Sequence, residues 1–357
     1  MKKKGALILQ DGSRYEGYLF GAEKPTAGEV IFTTAMTGYA ECLTDPSFTG
    51  QILVCTYPIL GSYGLSAPKD PHTGLFLYPE ESKYYPKALI AYDYTDNYSH
   101  WEAIETLSEG MKRHGVTGLT GIDTRALTKK LRDQGPLLGK IVAEGEEDIP
   151  FIQPDDINLV AEVSTPNVIN YPGTGKKIVL VDCGVTHDTI QHLQEKDLFI
   201  QRVPWDYDFF QLDFHGVFIS NGPGAPHHCT NTVENIRKAL EKGIPVAGIG
   251  LGNLLLAKAL GLPIKKMRYG HHSHNHPVKK LNSTRCLVTT QNHTFVVDDT
   301  NLPKGWATYF SNMNDGSNEG LIHESGRQFS VQFLPEACGA CADTEFIFAD
   351  FVSALNK

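Results

Sequence analysis

The chain lacks long hydrophobic runs and lacks clustered basic residues. No run of about 18 apolar residues, the length that a membrane-spanning helix needs, occurs in its 357 residues. The apolar stretch at residues 6–9 is too short for the core of a signal peptide. The net charge is -9, and no basic cluster is longer than the one at residues 2–4. The sequence therefore predicts no basic surface that could bind the phosphate backbone of a nucleic acid. We therefore expect a cytoplasmic protein that binds neither membranes nor nucleic acid.

The cysteines are too scattered for a disulfide framework. There are seven, an odd number, in a chain large enough to fold around an apolar core without such bonds. Reduced thiols are therefore expected. Hydrophobic residues make up 41% and charged residues 20% of the sequence, which indicates a folded protein and not a disordered one. A length of 357 residues favours two domains, each with its own core.

The first half has the pattern of a mixed α/β domain. Residues 6–20 predict two strands joined as a β-hairpin. Residues 101–114 carry apolar side chains at helical spacing and predict a helix. Residues 123–132 predict a second helix, with Asp123 as its N-cap and Gly135 just past its end.

In the second half, short apolar strands alternate with helices. They follow a proline- and glycine-rich segment at residues 164–175, which suits a linker between domains at residues 1–163 and 176–357. The alternation predicts a doubly wound parallel sheet, whose ligands normally bind at the carboxyl ends of the strands. The predicted strands are 177–182, 198–203, 216–220 and 245–249, and the predicted helices are 189–196 and 251–260.

Four short motifs lie in loops at that edge of the sheet: Ser220-Asn-Gly-Pro-Gly224, Gly248-Ile-Gly-Leu-Gly252, Gln291-Asn-His293 and Gln332-Phe-Leu-Pro-Glu336. Each alone is a weak signal, but the four in this order resemble a class I glutamine amidotransferase domain. The N-terminal half, with Gly121-Ile-Asp-Thr-Arg125, is similar to the domain peculiar to the small subunit of carbamoyl phosphate synthetase. The resemblance covers almost the whole chain.

This resemblance implies a fold, a partner and a reaction. The fold is an N-terminal mixed α/β small-subunit domain followed by a doubly wound, flavodoxin-like amidotransferase domain. An active small subunit hydrolyses glutamine and passes ammonia to a large subunit. We expect ATP and magnesium on that large subunit and no cofactor on this chain. The carbamoyl phosphate would serve pyrimidine or arginine biosynthesis.

The catalytic triad of the family is incomplete in this sequence. In the family, a cysteine on a sharp strand-to-helix turn attacks glutamine, and a histidine oriented by a glutamate takes the thiol proton. The cysteine position is Gly250 and the histidine position is Leu334, and neither side chain can perform its step. Only Glu336 remains. We predict that glutamine hydrolysis is lost.

The resemblance also identifies a glutamine pocket with two altered positions. Leu254 stands where the family usually has glutamine, and Thr294 stands where it has glycine. The backbone amides of Gly224 and Leu251 would be the oxyanion donors. Alternatively, Gly222 and Gly224 serve only a tight turn with positive φ. The family contacts that remain are Ser47, Gly222, Gly224, Leu251, Asn292 and Phe295.

Two other functions stay open. Glutamine could be hydrolysed with a different nucleophile, for which Cys183, Cys229, Cys338 and Cys341 are the candidates. The chain could also be a stand-alone binding protein with a repurposed pocket. Failure to purify together with a large subunit would favour that third hypothesis.

Two clusters invite a metal hypothesis. The run at residues 270–276 contains four histidines. Members of the family have a similar segment without a metal, so the resemblance implies a structural loop. His227, Cys229, Cys338 and Cys341 would form a tetrahedral zinc site if their two loops meet. Apart from that candidate, we expect no metal on this chain.

Overall fold

The computed structural model describes residues 3–66, 83–336 and 342–357. The chain divides into two compact units, unit 1 at Met1–Pro154 and unit 2 at Asp155–Lys357. Among the helices of the described ranges, none combines the length and the apolar character needed to cross a membrane.

The division between the units lies before the segment that the sequence assigns to the linker. Within residues 164–175, the strand Ile169–Tyr171 pairs antiparallel with a strand of unit 2 and belongs to its sheet. Prolines and glycines mark the ends of this short strand, but its backbone hydrogen bonds go to a neighbouring strand.

Unit 1 contains a closed barrel and, in its described residues, three α-helices. Its strands are β1 Lys4–Leu9, β2 Arg14–Gly21, β3 Thr26–Thr33, β4 Gln51–Cys55, β5 Ile59–Leu60, β6 Leu65–Ser66, β7 Ala88–Ala91, β8 Asp93–Tyr94, β9 Ala103–Glu105, β10 Thr117–Thr120 and β11 Leu137–Ala143. Its helices are α1 Tyr39–Thr44, α2 Leu107–Arg113 and α3 Thr124–Gln134. The barrel order is β1-β11-β3-β4-β7-β10-β2.

Alternation along the barrel strands builds two apolar cores. In β4, Ile52 and Val54 pack in one core together with α3, whereas Leu53 and Cys55 pack in the other together with α1 and α2. Successive side chains of a strand point to opposite faces, so both faces of β4 are covered. This accounts for the uninterrupted apolar sequence from Ile52 to Cys55.

Two of the three predictions made for unit 1 are confirmed. β1 and β2 form the expected antiparallel hairpin. Asp123 caps α3 by accepting a hydrogen bond from the Ala126 backbone N at 2.9 Å, and Gly135 follows the helix. The helix predicted at 101–114 is wrong in its first half, because α2 begins only at Leu107 and β9 precedes it.

Unit 2 is built on one ten-stranded sheet. Its strands are β12 Ile169–Tyr171, β13 Lys177–Asp182, β14 Phe199–Pro204, β15 Gly216–Ile219, β16 Val246–Ile249, β17 Ile264–Lys280, β18 Cys286–Val297, β19 Trp306–Asn312, β20 Asn318–His323 and β21 Gln328–Val331. Its helices are α4 Leu159–Val163, α5 His187–Gln194, α6 Thr230–Glu241, α7 Leu251–Ala259 and α8 Phe346–Leu355. The order is β12-β14-β13-β15-β16-β21-β20-β19-β17-β18.

The parallel half of this sheet confirms the predicted doubly wound fold. Strands β14, β13, β15, β16 and β21 are parallel neighbours. In β13, Val179 and Val181 pack on the side of α6 and α7, whereas Ile178 and Leu180 pack on the side of α5 and α8. Helices therefore cover both faces, and the loops at the carboxyl ends of the strands converge on one edge.

Candidate active site

A sharp turn connects β16 to α7 at the centre of that edge. Gly250 alone separates Ile249 from Leu251, with φ 53° and ψ -113°. Its backbone N donates to the Val331 carbonyl oxygen at 2.9 Å, which ties the turn to the neighbouring strand β21. This is the shape of a nucleophile elbow, in a conformation that side chains adopt only under strain.

The side chain of Asn221 occupies the place of a nucleophile. A Cβ atom built on Gly250 would lie 2.1 Å from Asn221 Oδ1, well inside contact distance. The same oxygen accepts a hydrogen bond from the Leu251 backbone N at 3.0 Å. The predicted oxyanion donor of Leu251 is therefore already hydrogen-bonded within the protein. Asn221 lies within one of the four motifs, but its sequence position alone does not predict this contact with Gly250 and Leu251.

Glu336 is buried beside the N-terminus of α5. Its Oε1 accepts hydrogen bonds from the hydroxyls of Thr186 at 3.0 Å and Thr189 at 2.8 Å. Its Oε2 has no hydrogen-bond partner among the described residues. Burial raises the pKa of Glu336 to about 7, against the opposing effect of the two threonines. The two threonines were not predicted, because they lie far from Glu336 in the sequence.

Leu334 fills its position with an apolar side chain. It is 2% exposed, and its backbone N donates to the Thr290 carbonyl oxygen of β18 at 2.9 Å. An isobutyl group neither donates nor accepts a proton. The carboxyl group of Glu336, two residues later, therefore has no imidazole to orient at position 334.

Comparisons with known proteins decide the family. Residues 7–141 match the family described as carbamoyl-phosphate synthase small chain, CPSase domain, and residues 179–354 match glutamine amidotransferase class-I. The arginine-specific small chain of carbamoyl phosphate synthase from Saccharomyces cerevisiae is 41% identical over 366 residues, covering 99% of this chain and 89% of that one. The chain belongs to the carbamoyl-phosphate synthase small chain family. This confirms the resemblance and the two-part α/β fold.

Other relatives of the family are much longer proteins. The multifunctional protein pyr1-3 of Dictyostelium discoideum is 45% identical over 98% of this chain, which spans only 17% of that protein. The multifunctional protein CAD of Squalus acanthias is 44% identical, and the chain spans 16% of it. The chain thus corresponds to about a sixth of these multifunctional relatives.

The two altered pocket positions are both buried in unit 2. Leu254 lies on α7 and packs in the same apolar core as Leu251. Thr294 lies on β18. Two retained positions also lie on β18: Asn292, whose Oδ1 is 2.6 Å from Nδ1 of His272, and the half-buried Phe295.

Ser47 lies in unit 1. It is buried, and its backbone N donates to the Asp45 carboxylate at 2.8 Å in a short helical turn. The structure of unit 1 alone gives Ser47 this local role.

The two glycines of the motif at 220–224 have different roles. Gly224 has φ +78° and makes the expected turn. Gly222 has no positive φ, so that explanation is wrong for it. A Cβ atom on Gly222 would lie 2.0 Å from the Cys183 carbonyl oxygen. The loops after β13 and β15 pass so closely that only glycine fits.

Cys183 and Cys229 are both fully buried in one apolar core. Burial raises the pKa of the Cys229 thiol to about 12 and raises that of Cys183 well above its ordinary value. Both thiols therefore stay protonated at neutral pH, which opposes a role as nucleophile or metal ligand. His227 is exposed, unlike its neighbour Cys229. The other two members of this zinc candidate, Cys338 and Cys341, lie outside the described residues.

The histidine run at 270–276 is not a loop. It lies within β17, which pairs with β18 and β19. His271 Nε2 is 3.0 Å from the Asp315 carboxylate. Burial lowers the pKa of His271, but hydrogen bonds with Asp315 and Glu319 outweigh this and raise it to about 9. Burial lowers the pKa of His276 to about 3. The sequence alone did not reveal these carboxylate partners.

Proposed function

We propose that this chain is the small subunit, or the small-subunit portion, of a carbamoyl phosphate synthetase that takes free ammonia because its own glutaminase is inactive. The observation that carries the proposal is the geometry at Gly250. The position of a nucleophile has no side chain, and Asn221 Oδ1 occupies the adjoining space and accepts the Leu251 N–H.

Two chemical steps have no group to perform them. Without a side chain at Gly250, no thioester with glutamine can form at the elbow. Without an imidazole at position 334, there is no general base, which alone typically contributes about 10²–10⁴-fold to a rate. Polarisation by backbone amides does not replace either group.

The competing hypothesis of a different nucleophile has little support from Cys183 and Cys229, the two candidate cysteines that the structure describes. Cys183 and Cys229 are fully buried, and burial raises both of their pKa values. A thiol that stays protonated in an apolar core is a poor nucleophile. Cys338 and Cys341 are tested directly by the assay on the unmodified chain.

The decisive assay measures glutamate release from glutamine, with and without the purified large subunit. We expect no turnover by the unmodified chain. Gly250→Cys supplies a thiol without a base, and adding Leu334→His rebuilds a triad with Glu336. We expect weak activity from this double variant and clearly more after adding Leu254→Gln and Thr294→Gly.

The controls distinguish the parts of this proposal. Gly243→Cys adds a thiol at an exposed glycine that also has a positive φ, 64°, and should give no activity. Robust turnover by the unmodified chain would refute the inactive-glutaminase proposal. Full recovery in the double variant would refute only the claim that the pocket has decayed.

The partner is tested separately. The relatives named small chain, and the match of residues 7–141 to the small-chain domain, support a large-subunit partner. That ATP and magnesium bind to this partner stays a prediction. Size-exclusion chromatography with the large subunit should show co-elution at micromolar concentration. Separate elution would contradict the subunit proposal and favour a stand-alone binding protein.

A further inference from the structure

Two histidines and one carboxylate converge in the antiparallel half of the unit 2 sheet. His271 lies on β17, His293 on the adjacent β18, and Glu319 on β20. One ring nitrogen of each histidine and one carboxylate oxygen of Glu319 all lie within 4.8 Å of one another. Only His271 belongs to the histidine run.

The hydrogen bonds of His293 orient a lone pair into this cluster. Its Nδ1 is 2.9 Å from the Phe295 carbonyl oxygen, an obligate acceptor, so Nδ1 carries the proton. Its Nε2 then presents a lone pair to Gln291 Oε1 at 2.9 Å, which is also an acceptor. Two facing acceptors at this distance need a proton, a cation or a flipped Gln291 amide between them.

His271 is held in a matching way. Its Nε2 faces the Asp315 carboxylate at 3.0 Å, and its Nδ1 faces the same Gln291 Oε1 at 2.8 Å. Histidine ligands of metals typically donate their second N–H to a carboxylate or a backbone carbonyl. Asp315 provides such a partner for His271, and the Phe295 carbonyl provides one for His293.

Glu319 adds a buried carboxylate to the cluster. It is 0% exposed, and its Oε1 accepts from Asn312 Nδ2 at 2.7 Å. Its Oε2 has no hydrogen-bond partner in the part of the chain that the structure describes. Its Oε1 also lies 3.4 Å from His271 Nδ1, so either a protonated His271 or a metal ion bound between the two side chains would compensate this buried charge.

We propose that His271 Nδ1, His293 Nε2 and the Glu319 carboxylate bind one divalent transition-metal ion of the zinc class. Two imidazoles and one carboxylate are a common ligand set for such ions, with the remaining position taken by water or by Gln291 Oε1. The ion would link β17, β18 and β20, and its role is structural. The site shares no residue with the turn at Gly250, and the proposal does not depend on the proposed function.

The test uses the full chain without an affinity tag, stripped with a chelator and titrated with Co²⁺ as a spectroscopic substitute for Zn²⁺. We expect d–d absorption bands that saturate at one ion per chain, and an equal content of zinc by elemental analysis after zinc loading. Zinc should also raise the melting temperature of the stripped protein.

Matched variants assign the ligands. Glu319→Gln keeps the size of the side chain and an acceptor for Asn312 but removes the charge, and His293→Phe removes one ligand nitrogen. Each should lower cobalt affinity at least tenfold. His274→Gln is the control, because His274 lies on the same strand, outside the group, with its Nδ1 3.2 Å from Thr290 Oγ1.

Three outcomes would overturn the proposal. One is no saturable cobalt binding by the unmodified chain, which would leave a hydrogen-bonded cluster with a proton on His271. Another is unchanged affinity in Glu319→Gln and His293→Phe. The third is an equal loss in the His274→Gln control. Circular dichroism of each variant confirms folding, and the titration of the unmodified chain decides the matter without any variant.

Discussion

Glu336→Gln should stabilise the protein at alkaline pH and change little at acidic pH. Glu336 is fully buried, and the carboxyl has a pKa of about 7. Unfolding returns it to an ordinary value of about 4.5. Glutamine has the same shape as the protonated carboxyl, and its Oε1 can accept the same hydrogen bonds from Thr186 and Thr189.

The sign follows from proton binding. Below about pH 4.5 both states hold the proton, and between about 4.5 and 7 only the folded state does, so the free energy of unfolding falls as pH rises. One pH unit corresponds to about 1.4 kcal/mol, which gives a total loss of about 3 kcal/mol above pH 7. The glutamine variant does not undergo this loss.

Urea unfolding monitored in unit 2 measures the effect. We expect Glu336→Gln and the unmodified chain to unfold at similar urea concentrations at about pH 5, and the variant to be more stable by about 3 kcal/mol at about pH 8. The exposed Glu324→Gln serves as the control: because it retains Glu336, its stability relative to the unmodified chain should be the same at both pH values. A difference between variant and unmodified chain that stays constant with pH would refute the reasoning.

Two further predictions concern stability. Gly250→Ala should destabilise unit 2 by more than the positive-φ strain of about 1–3 kcal/mol, because Asn221 Oδ1 must also move. The control Gly243→Ala, at φ +64° with nothing within 4 Å, should show the strain alone. Equal urea midpoints for the two variants would contradict this prediction. Arg202→Met should cost about 3 kcal/mol in urea unfolding, since it leaves the buried Asp182 carboxylate without its ion pair; a loss below about 1 kcal/mol would contradict the importance of that pair.

The sequence predicts elements well where local signals mark their ends. α3 has both its capping aspartate and its terminal glycine. The start of α2 had an equally clear signal, because Thr106 and Glu109 form a capping box, but the apolar spacing that begins near Trp101 extended the prediction too far. Trp101 is 84% exposed and contributes nothing to a buried helix face.

The parts of the site that depend on distant contacts could not be predicted. The resemblance located Gly250, Leu334 and Glu336, because each lies in a short motif. The threonines that hydrogen-bond Glu336 are about 150 positions away in the sequence. The convergence of His293 and Glu319 on the histidine run likewise requires the register of the strands.

The backbone conformation at Gly250 means that restoring a cysteine there would lower the stability of the fold. A residue with a side chain at φ 53° is strained, so a glycine there relaxes the fold. In a population that does not need the thiol, a change from cysteine to glycine is therefore favoured by stability alone. A substitution back to cysteine must displace the Asn221 side chain and restore the strain, and this loss of stability comes before any gain in activity. The strain and the contact with Asn221 at this turn therefore oppose any single-step return of a nucleophile.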